Sequence, residues 1–282
     1  MTLRKVGIIG CGIMGGDIAQ ICAQSGYETI VYTVRQKSLD NALAHIDCAW
    51  NLMANKHRIT AEQCCENHRR LHGTLDIEQL ADCDIIVESI VEHLEDKLRL
   101  FVELDHILAP EAILLTNTSS LSVTQLGAAT SRPDRVCGLH FFNPATTMKL
   151  VEIVQTISTS EETIETVKQF ALSLGKKPVI AKDTAGFIVN ALLVPYVLSA
   201  VRMLEHGRAS RDDIDLAMKL GCGHPMGPLT LIDFSGLDTT LWIAEALYEE
   251  YKDPIYAPPP LLRRMVHSGM LGRKSGKGFY EY

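Results

Sequence analysis

The glycine-rich turn near the start of the chain constrains the fold more than any other feature. Apolar residues from Val6 to Ile9 suit a buried strand, Gly10, Gly12 and Gly15 follow in Gly-x-Gly-x-x-Gly spacing, and apolar residues then recur at helical intervals. In such a turn the first glycine allows the sharp bend, the second lets the backbone approach a pyrophosphate, and the third lets helix and strand pack closely. The N–H groups at the start of the helix then face the phosphates. The pattern predicts a dinucleotide site, and an ordinary turn between strand and helix is the alternative.

The residues after the second predicted strand indicate which dinucleotide binds. This strand, 28–32, is followed directly by Thr33 and then by Arg35. An NAD site usually has an acid at this point, which accepts hydrogen bonds from the adenosine ribose. An arginine can instead hold a 2′-phosphate through charge-assisted hydrogen bonds. Thr33 and Arg35 therefore predict a preference for NADP(H) over NAD(H).

Composition narrows the class of protein. A chain of 282 residues, 46% of them hydrophobic, is large enough for two domains with substantial cores. The net charge of −7 argues against binding to nucleic acid or to an anionic membrane. No apolar run reaches the length of a membrane span and the chain enters a strand without a signal peptide, so we expect a cytoplasmic protein. The eight cysteines form no Cys-x-x-Cys pair, which predicts reduced thiols and no metal site.

Strand and helix patterns alternate through most of the chain and then give way to helices alone. Strands are predicted at 6–9, 28–32, 71–75, 84–87, 112–116, 135–139, 149–156 and 178–181. Helices are predicted within 36–67 and at 94–108, 161–174, 187–204, 211–220 and 237–251, with a last helix after three prolines at 258–260. These patterns predict an α/β protein: an N-terminal Rossmann-like doubly wound sheet with a helical insertion in residues 1–184, and an all-α C-terminal domain in residues 185–282.

Polar residues follow several of the predicted strands, at the edge where a doubly wound sheet binds its ligands. The residues expected along this edge are the glycine turn, Thr33, Glu92, Ser119 and His140. Ser119 lacks the Gly-x-Ser-x-Gly context of a hydrolase nucleophile, so we interpret it as a hydrogen-bonding group for a substrate oxygen. A hydrolase is the alternative for this serine.

His140 and Glu152 form a predicted acid–base pair. Glu152 lies between Val151 and Ile153 in an apolar strand, where a carboxylate is costly to bury unless a donor or a cation meets it. His140 ends the preceding strand, so Glu152 can return beside it on the neighbouring strand. A carboxylate at one imidazole nitrogen fixes the tautomer and leaves the other nitrogen to exchange a proton with a substrate. A histidine with a purely structural hydrogen bond is the alternative.

Two further features have a structural and a functional interpretation. Lys56 and Arg58 lie in a basic cluster of the helical insertion. This insertion is either a solvated surface hairpin or a flap that offers cations to a polyanionic substrate. Asn190 interrupts an apolar run, where its amide either caps local backbone or reaches a ligand cleft.

Seven motifs spread over the whole chain resemble the 3-hydroxyacyl-CoA dehydrogenase family. They are Gly10-Cys11-Gly12-Ile13-Met14-Gly15, Asn117-Thr118-Ser119-Ser120-Leu121, His140-Phe141-Phe142-Asn143-Pro144, Met148-Lys149-Leu150-Val151-Glu152, Gly186-Phe187-Ile188-Val189-Asn190, Pro225-Met226-Gly227-Pro228 and Gly276-Lys277-Gly278-Phe279-Tyr280. Their order and number are most similar to the short, single-function bacterial members that act on 3-hydroxybutyryl-CoA.

The resemblance implies an activity and a set of residue roles. The activity is reversible hydride transfer between a nicotinamide cofactor and C3 of a short-chain 3-hydroxyacyl-CoA, as in fatty acid and butyrate metabolism. His140 is implied as the acid/base, Glu152 as its orienting partner, and Ser119 and Asn190 as substrate-positioning residues. Cofactor contacts are implied for the glycine turn with Ile13 and Met14, and for Glu92, Lys97, Asn143 and Lys274. Lys56, Arg58 and Lys97 are then candidates to hold the phosphates of CoA, and the helical domain is expected to form a homodimer.

Three positions depart from the family pattern. Asp17 stands where the family usually has another glycine, Ala191 replaces a common arginine, and Thr33 replaces the acid that binds ribose. Only Thr33 bears on the reaction, so the NADP(H) hypothesis stands against the family's habitual use of NAD(H). The enzymatic alternative is a related dehydrogenase of hydroxy acids or sugar acids that does not use CoA. The non-enzymatic alternative is a nucleotide-binding structural or sensor protein, because a fold does not fix a function.

Overall fold

The chain divides into two compact units in the computed structural model, which describes residues 3–282. Unit 1 ends at Asp183 and unit 2 begins at Thr184. Among residues 3–282, no helix combines the length and the apolar character that crossing a membrane requires. The same part of the chain contains no group of three or more His, Cys, Asp or Glu side chains that could hold a metal ion.

Unit 1 is built on one eight-stranded sheet. Its strands are β1 (Lys5–Ile9), β2 (Glu28–Tyr32), β3 (Leu71–Thr74), β4 (Ile85–Glu88), β5 (Ile113–Thr116), β6 (Val136–Phe141), β7 (Leu150–Gln155) and β8 (Lys177–Lys182). The order across the sheet is β3-β2-β1-β4-β5-β6-β7-β8. Pairing is parallel from β3 across to β6, antiparallel between β6 and β7, and parallel between β7 and β8. The predicted doubly wound sheet is confirmed, and its switch point lies beside β1, the strand that leads into the glycine turn.

The helices of unit 1 include the predicted insertion and one short helix that the sequence pattern did not predict. They are α1 (Ile13–Gln24), α2 (Gln36–Asn55), α3 (Ala61–Arg70), α4 (Leu94–Ile107), α5 (Val123–Ala128) and α6 (Glu161–Ser173). The insertion is two helices, because Thr60 and Gln63 form a capping box that starts α3. Helix α5 has only 6 residues, too few to show a helical period in the sequence.

The central strands of the sheet are buried along almost their whole length, which explains their continuous apolar sequences. In β4 and β5 all positions are buried, as expected for parallel strands covered on both faces. The last residue of each of these strands is nevertheless polar. Glu88 ends β4, Thr116 ends β5, and both are 0% exposed. The apolar core of unit 1 therefore ends in buried polar groups at the carboxyl edge of the sheet.

Strand β6 is longer than predicted. The sequence pattern ended this strand at Leu139, but it runs to Phe141, so His140 lies inside the strand. Two interactions extend it. Phe141 pairs with Val151 of β7, and the backbone N–H of Phe141 donates to Asn117 Oδ1 at 2.8 Å. A side-chain amide thus replaces the strand carbonyl that β5 no longer offers at this point.

Unit 2 is helical, as predicted. Its helices are α7 (Val189–Glu205), α8 (Arg211–Cys222), α9 (Pro228–Ser235), α10 (Leu237–Tyr251) and α11 (Pro260–His267). Helix α7 begins two residues later than predicted, because Gly186 and Phe187 both have positive φ, 76° and 49°. Helix α9 was not predicted. It has 8 residues, too few for a clear helical period in the sequence. Pro228 in its first turn and Gly236 directly after its end are residues that typically start and end a helix.

Candidate active site

The glycine turn has the geometry that close packing of β1 and α1 requires. Gly10 has φ +93°, and a Cβ added there would collide with the carbonyl of Ser89. A Cβ on Gly15 would collide with the carbonyl of Gly10. Gly12 differs, because a Cβ there would meet nothing within 4 Å. Two of the three glycines are therefore needed for packing within the protein, and the third borders open space.

The open space lies at the N-terminus of α1. Gly12 is the N-cap residue, and no side chain in residues 3–282 caps this end of the helix. The first-turn N–H groups, including those of Ile13 and Met14, are thus left for an external acceptor. An uncapped N-terminus beside a glycine backbone suits a diphosphate. The residues present therefore fit a nicotinamide dinucleotide at this turn.

The end of β2 lies next to the glycine turn. The backbone N–H of Gly10 donates to the carbonyl of Tyr32 at 2.9 Å, and that of Thr33 donates to Thr74 at 3.3 Å. Arg35 is exposed and is the N-cap residue of α2, whose first turn carries no acid. Within the described residues, Arg35 forms no salt bridge with a carboxylate. The short hydroxyl and the unneutralised guanidinium therefore follow the strand that adjoins the dinucleotide turn.

His140 and Glu152 are brought together by the register of β6 and β7. The two residues are direct partners in this antiparallel pair, and His140 Nδ1 lies 2.7 Å from Glu152 Oε2. Glu152 is 0% exposed and His140 is 5% exposed. Because a buried carboxylate needs a hydrogen-bond donor, this geometry fits an imidazole that donates its Nδ1–H to Glu152 and has Nε2 as its other nitrogen. The ring of Phe142 packs against the imidazole with centroids 4.6 Å apart.

Ser119 is held from its backbone by Glu92. The Ser119 N–H donates to Glu92 Oε1 at 2.9 Å, and the hydroxyl of Thr118 donates to the same oxygen. Glu92 Oε2 forms a salt bridge with Lys97 Nζ at 3.1 Å. The segment after β5 is thereby tied to the segment between β4 and α4, and both were predicted to lie along the same edge.

Glu88 is a polar residue of this edge that sequence reasoning did not single out. Its Oε1 accepts hydrogen bonds from Lys97 Nζ at 2.6 Å and from the Ile90 N–H at 2.7 Å. Its Oε2 accepts from the Thr116 hydroxyl at 2.6 Å. The sequence pattern that could have identified Glu88 is an acid at the end of an apolar strand, followed nine residues later by a lysine in the first turn of a helix.

Asn117 belongs to one of the family motifs and was given no role of its own from the sequence. It follows β5 and connects this strand to β4 and β6. Its N–H donates to the carbonyl of Glu88 at 2.8 Å. Its side chain donates to Ser89 Oγ at 3.3 Å and accepts from the N–H of Phe141 at 2.8 Å. Asn117 therefore links the end of β4 to the strand that carries His140.

The predicted cations of unit 1 lie in different environments. Lys97 is 1% exposed, with its ammonium between Glu88 and Glu92, so this geometry does not favour a direct contact with the phosphates of CoA. Lys56 and Arg58 are exposed in the connection between α2 and α3. Their exposure leaves both cations accessible to a polyanion.

Two other residues singled out in unit 1 lie near the connection between β6 and β7. Asn143 is exposed in this connection. The buried side chain of Asp17 in α1 accepts a hydrogen bond from the N–H of Thr146 at 3.4 Å. The aspartate that departs from the family pattern therefore ties α1 to the connection that contains Asn143.

Unit 2 carries the remaining predicted residues. Asn190 is half-buried and is the second residue of α7. Lys274 forms a salt bridge with Asp238 at 2.6 Å. Burial opposes ionisation of Asp238, but the hydrogen bond and charge of Lys274 together with backbone hydrogen bonds outweigh it, so the pKa of this carboxyl is lowered. The Lys274 ammonium is therefore held in place by a charged partner within its own unit.

Comparisons with known proteins agree over the full length of the chain. Residues 5–184 match the family model of the 3-hydroxyacyl-CoA dehydrogenase NAD binding domain, and residues 186–282 match that of the C-terminal domain of the same family. A probable 3-hydroxybutyryl-CoA dehydrogenase of Deinococcus radiodurans is 45% identical, with 99% of this chain and 100% of that protein covered. The mitochondrial hydroxyacyl-coenzyme A dehydrogenase of Sus scrofa is 43% identical, with 100% of this chain and 92% of that protein covered.

The likeness extends to a solved structure. The crystal structure of (S)-3-hydroxybutyryl-CoA dehydrogenase from Ralstonia eutropha superposes with a TM-score of 0.97 at 40% identity, covering 100% of this chain and 99% of that one. Two family models that together span nearly all residues, with relatives above 40% identity over at least 92% of their length, identify the family. The chain belongs to the 3-hydroxyacyl-CoA dehydrogenase family.

Proposed function

We propose that this protein catalyses the reversible oxidation of a short-chain 3-hydroxyacyl-CoA to the 3-oxoacyl-CoA, with 3-hydroxybutyryl-CoA and acetoacetyl-CoA as the substrate pair. The observation that carries the proposal is the buried His140–Glu152 pair, 2.7 Å apart on adjacent strands of a dinucleotide-binding sheet. The relatives' names supply the substrate class, since the curated bacterial relatives are 3-hydroxybutyryl-CoA dehydrogenases. We expect the protein to act in the cytoplasm.

The proposed chemistry divides between cofactor and protein. A nicotinamide dinucleotide held at the turn of Gly10, Gly12 and Gly15 would supply the hydride chemistry, which is acceptance from C3 of the alcohol and return to the ketone. His140 removes the proton of the C3 hydroxyl through Nε2 during oxidation and returns it during reduction. Nδ1 keeps its proton toward Glu152, which fixes the tautomer and stabilises the imidazolium that oxidation produces. Ser119 and Asn190 are assigned to hydrogen bonds with the substrate, and Glu92, Asn143 and Lys274 to the cofactor.

The first prediction concerns the acid–base pair. His140→Gln should lower kcat for acetoacetyl-CoA reduction by about 10²-fold or more, because the proton at the carbonyl oxygen then lacks its donor. Glu152→Gln should also lower kcat, because a neutral amide leaves the imidazolium without its anionic partner. Steady-state kinetics measure both effects, and cofactor binding by fluorescence should be unchanged in the His140 variant. His45→Gln, in an exposed histidine of α2, is the matched control, and near-normal turnover in His140→Gln would remove this residue from the mechanism.

The second prediction concerns recognition of the CoA ester. We assign the exposed Lys56 and Arg58 to the phosphates of CoA. Wild-type protein should therefore reduce acetoacetyl-CoA far faster than free acetoacetate. Replacing both residues by alanine should raise KM for the thioester about fivefold, the equivalent of roughly 1 kcal/mol for exposed charge contacts, and leave kcat unchanged. Lys168→Ala, in a lysine of α6 whose side chain is 42% exposed, is the control.

Two results would contradict these assignments. Equal or better turnover of the free acid would favour the CoA-independent hydroxy-acid dehydrogenases considered above. An unchanged KM in the double alanine variant would leave the two cations as part of a solvated surface.

The third prediction concerns cofactor choice. We propose that Thr33 and Arg35 favour NADP(H), because the hydroxyl leaves room for a 2′-phosphate and the exposed guanidinium has no competing carboxylate within the described residues. Wild-type kcat/KM should be higher with NADPH than with NADH. Thr33→Asp should reverse this order, so that kcat/KM is at least about tenfold higher with NADH than with NADPH. The reason is that a carboxylate repels the 2′-phosphate and accepts from the ribose hydroxyls. Arg35→Gln should lower kcat/KM for NADPH alone. A clear wild-type preference for NADH would overturn the assignment.

The fourth prediction concerns the oligomer. We propose that unit 2 forms a homodimer through its exposed apolar side chains, among them Leu192 at 72% exposure and Leu220 at 78% exposure. Sedimentation equilibrium should give about twice the 31.2 kDa mass of one chain. Replacing both leucines by glutamate should shift the protein toward the monomer, because charged side chains oppose burial at the interface. A wild-type monomer at micromolar concentration would contradict the proposal.

A further inference from the structure

Three charged side chains form a connected, largely buried group beside the carboxyl ends of β4 and β5. We call Glu88, Lys97 and Glu92 the charge relay. Lys97 Nζ lies 2.6 Å from Glu88 Oε1 and 3.1 Å from Glu92 Oε2. The side chains of Glu88 and Lys97 are 0% and 1% exposed, and that of Glu92 is 23% exposed. The relay therefore runs from the core of unit 1 toward its surface.

Glu88 is the fixed end of the relay. Both of its oxygens are occupied, since Oε1 accepts from Lys97 and from the Ile90 N–H, and Oε2 accepts from the Thr116 hydroxyl. A carboxylate that is completely removed from water persists only when a cation and hydrogen-bond donors compensate it. Glu88 also lies on a central strand, which is a rigid support. It thus holds the Lys97 ammonium at a defined point.

Lys97 in turn holds the carboxylate of Glu92 in place. Glu92 lies in the connection between β4 and α4, outside any strand or helix. Its Oε2 meets the Lys97 ammonium, and its Oε1 accepts from the Ser119 N–H at 2.9 Å and from the Thr118 hydroxyl. Without the buried ammonium, Glu92 would face the carboxylate of Glu88 with no cation between them, and the two like charges would repel each other. The position of the Ser119 backbone therefore depends on a chain of contacts that begins at Glu88.

We propose that Glu88 and Lys97 are positioning residues for the reaction, acting through Glu92 on the backbone of Ser119 and so on the direction of its hydroxyl. The inference rests on the proposed function, in which Ser119 holds the substrate. It differs from the roles that the family resemblance implies, because those are direct cofactor contacts for Glu92 and Lys97 and no role for Glu88. The consequence is that a residue with no access to solvent sets the geometry at the substrate.

The test separates positioning from stability by removing the buried charges together. Lys97→Met leaves two carboxylates without a counterion, so its melting temperature should fall by about 10 °C or more. Glu88→Gln/Lys97→Met removes one charge of each sign with little change in side-chain length, so most of that loss should be regained. In this double variant, kcat for acetoacetyl-CoA should nevertheless stay about tenfold below wild type, because Glu92 has lost its tether. Recovery of kcat together with stability would overturn the inference.

A second arm tests whether the effect passes through Ser119. Ser119→Ala removes the hydroxyl whose direction the relay is inferred to set. Adding Glu88→Gln/Lys97→Met to the Ser119→Ala variant should therefore lower kcat by less than about a further twofold. If the loss in kcat from Ser119→Ala and the loss from Glu88→Gln/Lys97→Met multiply in the combined variant, the relay does not act through Ser119 and the inference is overturned. Hydrogen exchange gives a readout without substrate or cofactor. The Ser119 amide should exchange faster in the double variant at a temperature where it is folded, and unchanged protection would also overturn the inference.

The controls distinguish this inference from the function on which it rests. Arg99→Met alters another cation of α4, 75% exposed and ion-paired with Glu95 and Asp96, and should leave both kcat and melting temperature near wild type. Wild-type protein that fails to reduce acetoacetyl-CoA would overturn the proposed function, and the inference with it. Wild-type activity with multiplicative losses would overturn the inference alone.

Discussion

The hydrogen bond between His140 and Glu152 is the interaction on which the proposed chemistry of this protein depends. A completely buried carboxylate is unfavourable in isolation, and the imidazole of His140 that meets it is thereby held in position. The contact exists because β7 runs antiparallel to β6 in the register that sets these two residues opposite each other. A shift of one residue would turn one of the side chains to the other face of the sheet. Strand register is thus a condition for the proposed acid–base pair.

The same edge of unit 1 shows how buried polar groups connect strand ends. Asn117 joins the end of β4 to Phe141 beside the histidine, and Glu88 joins β4 to β5 through Thr116. The Asn117 side chain accepts the Phe141 N–H where β5 offers no further strand carbonyl, whereas Glu88 and Thr116 are themselves the last pair of the β4–β5 ladder. Such groups are costly when only partly satisfied, and they give a rigid arrangement when their partners are all present. Rigidity at the edge of the sheet is what a positioned proton exchange and hydride transfer require.

The strands of the sheet could be predicted from the sequence, as could the residues whose chemical role is indicated by their type and their neighbours in the chain. Sequence reasoning placed Glu152 beside His140, because an acid inside an apolar strand needs a partner. It did not identify Glu88 or Asn117, because their importance lies in contacts with residues distant in the chain. It also ended β6 at Leu139, since the Asn117 amide that extends the strand cannot be recognised from local pattern. Helices α5 and α9 were missed because they are too short for a period to be evident.

By itself the sequence determined the alternation of strands and helices, the glycine turn and the family to which the chain belongs, because these depend on local residue types and their spacing. Only the tertiary structure decided the antiparallel register of β6 and β7, the burial of Lys97 between two carboxylates and the tie from Glu92 to Ser119. The physical reason is that the cost of burying a charge, and the partner that offsets it, are properties of the folded environment and are not carried by any one segment of the chain.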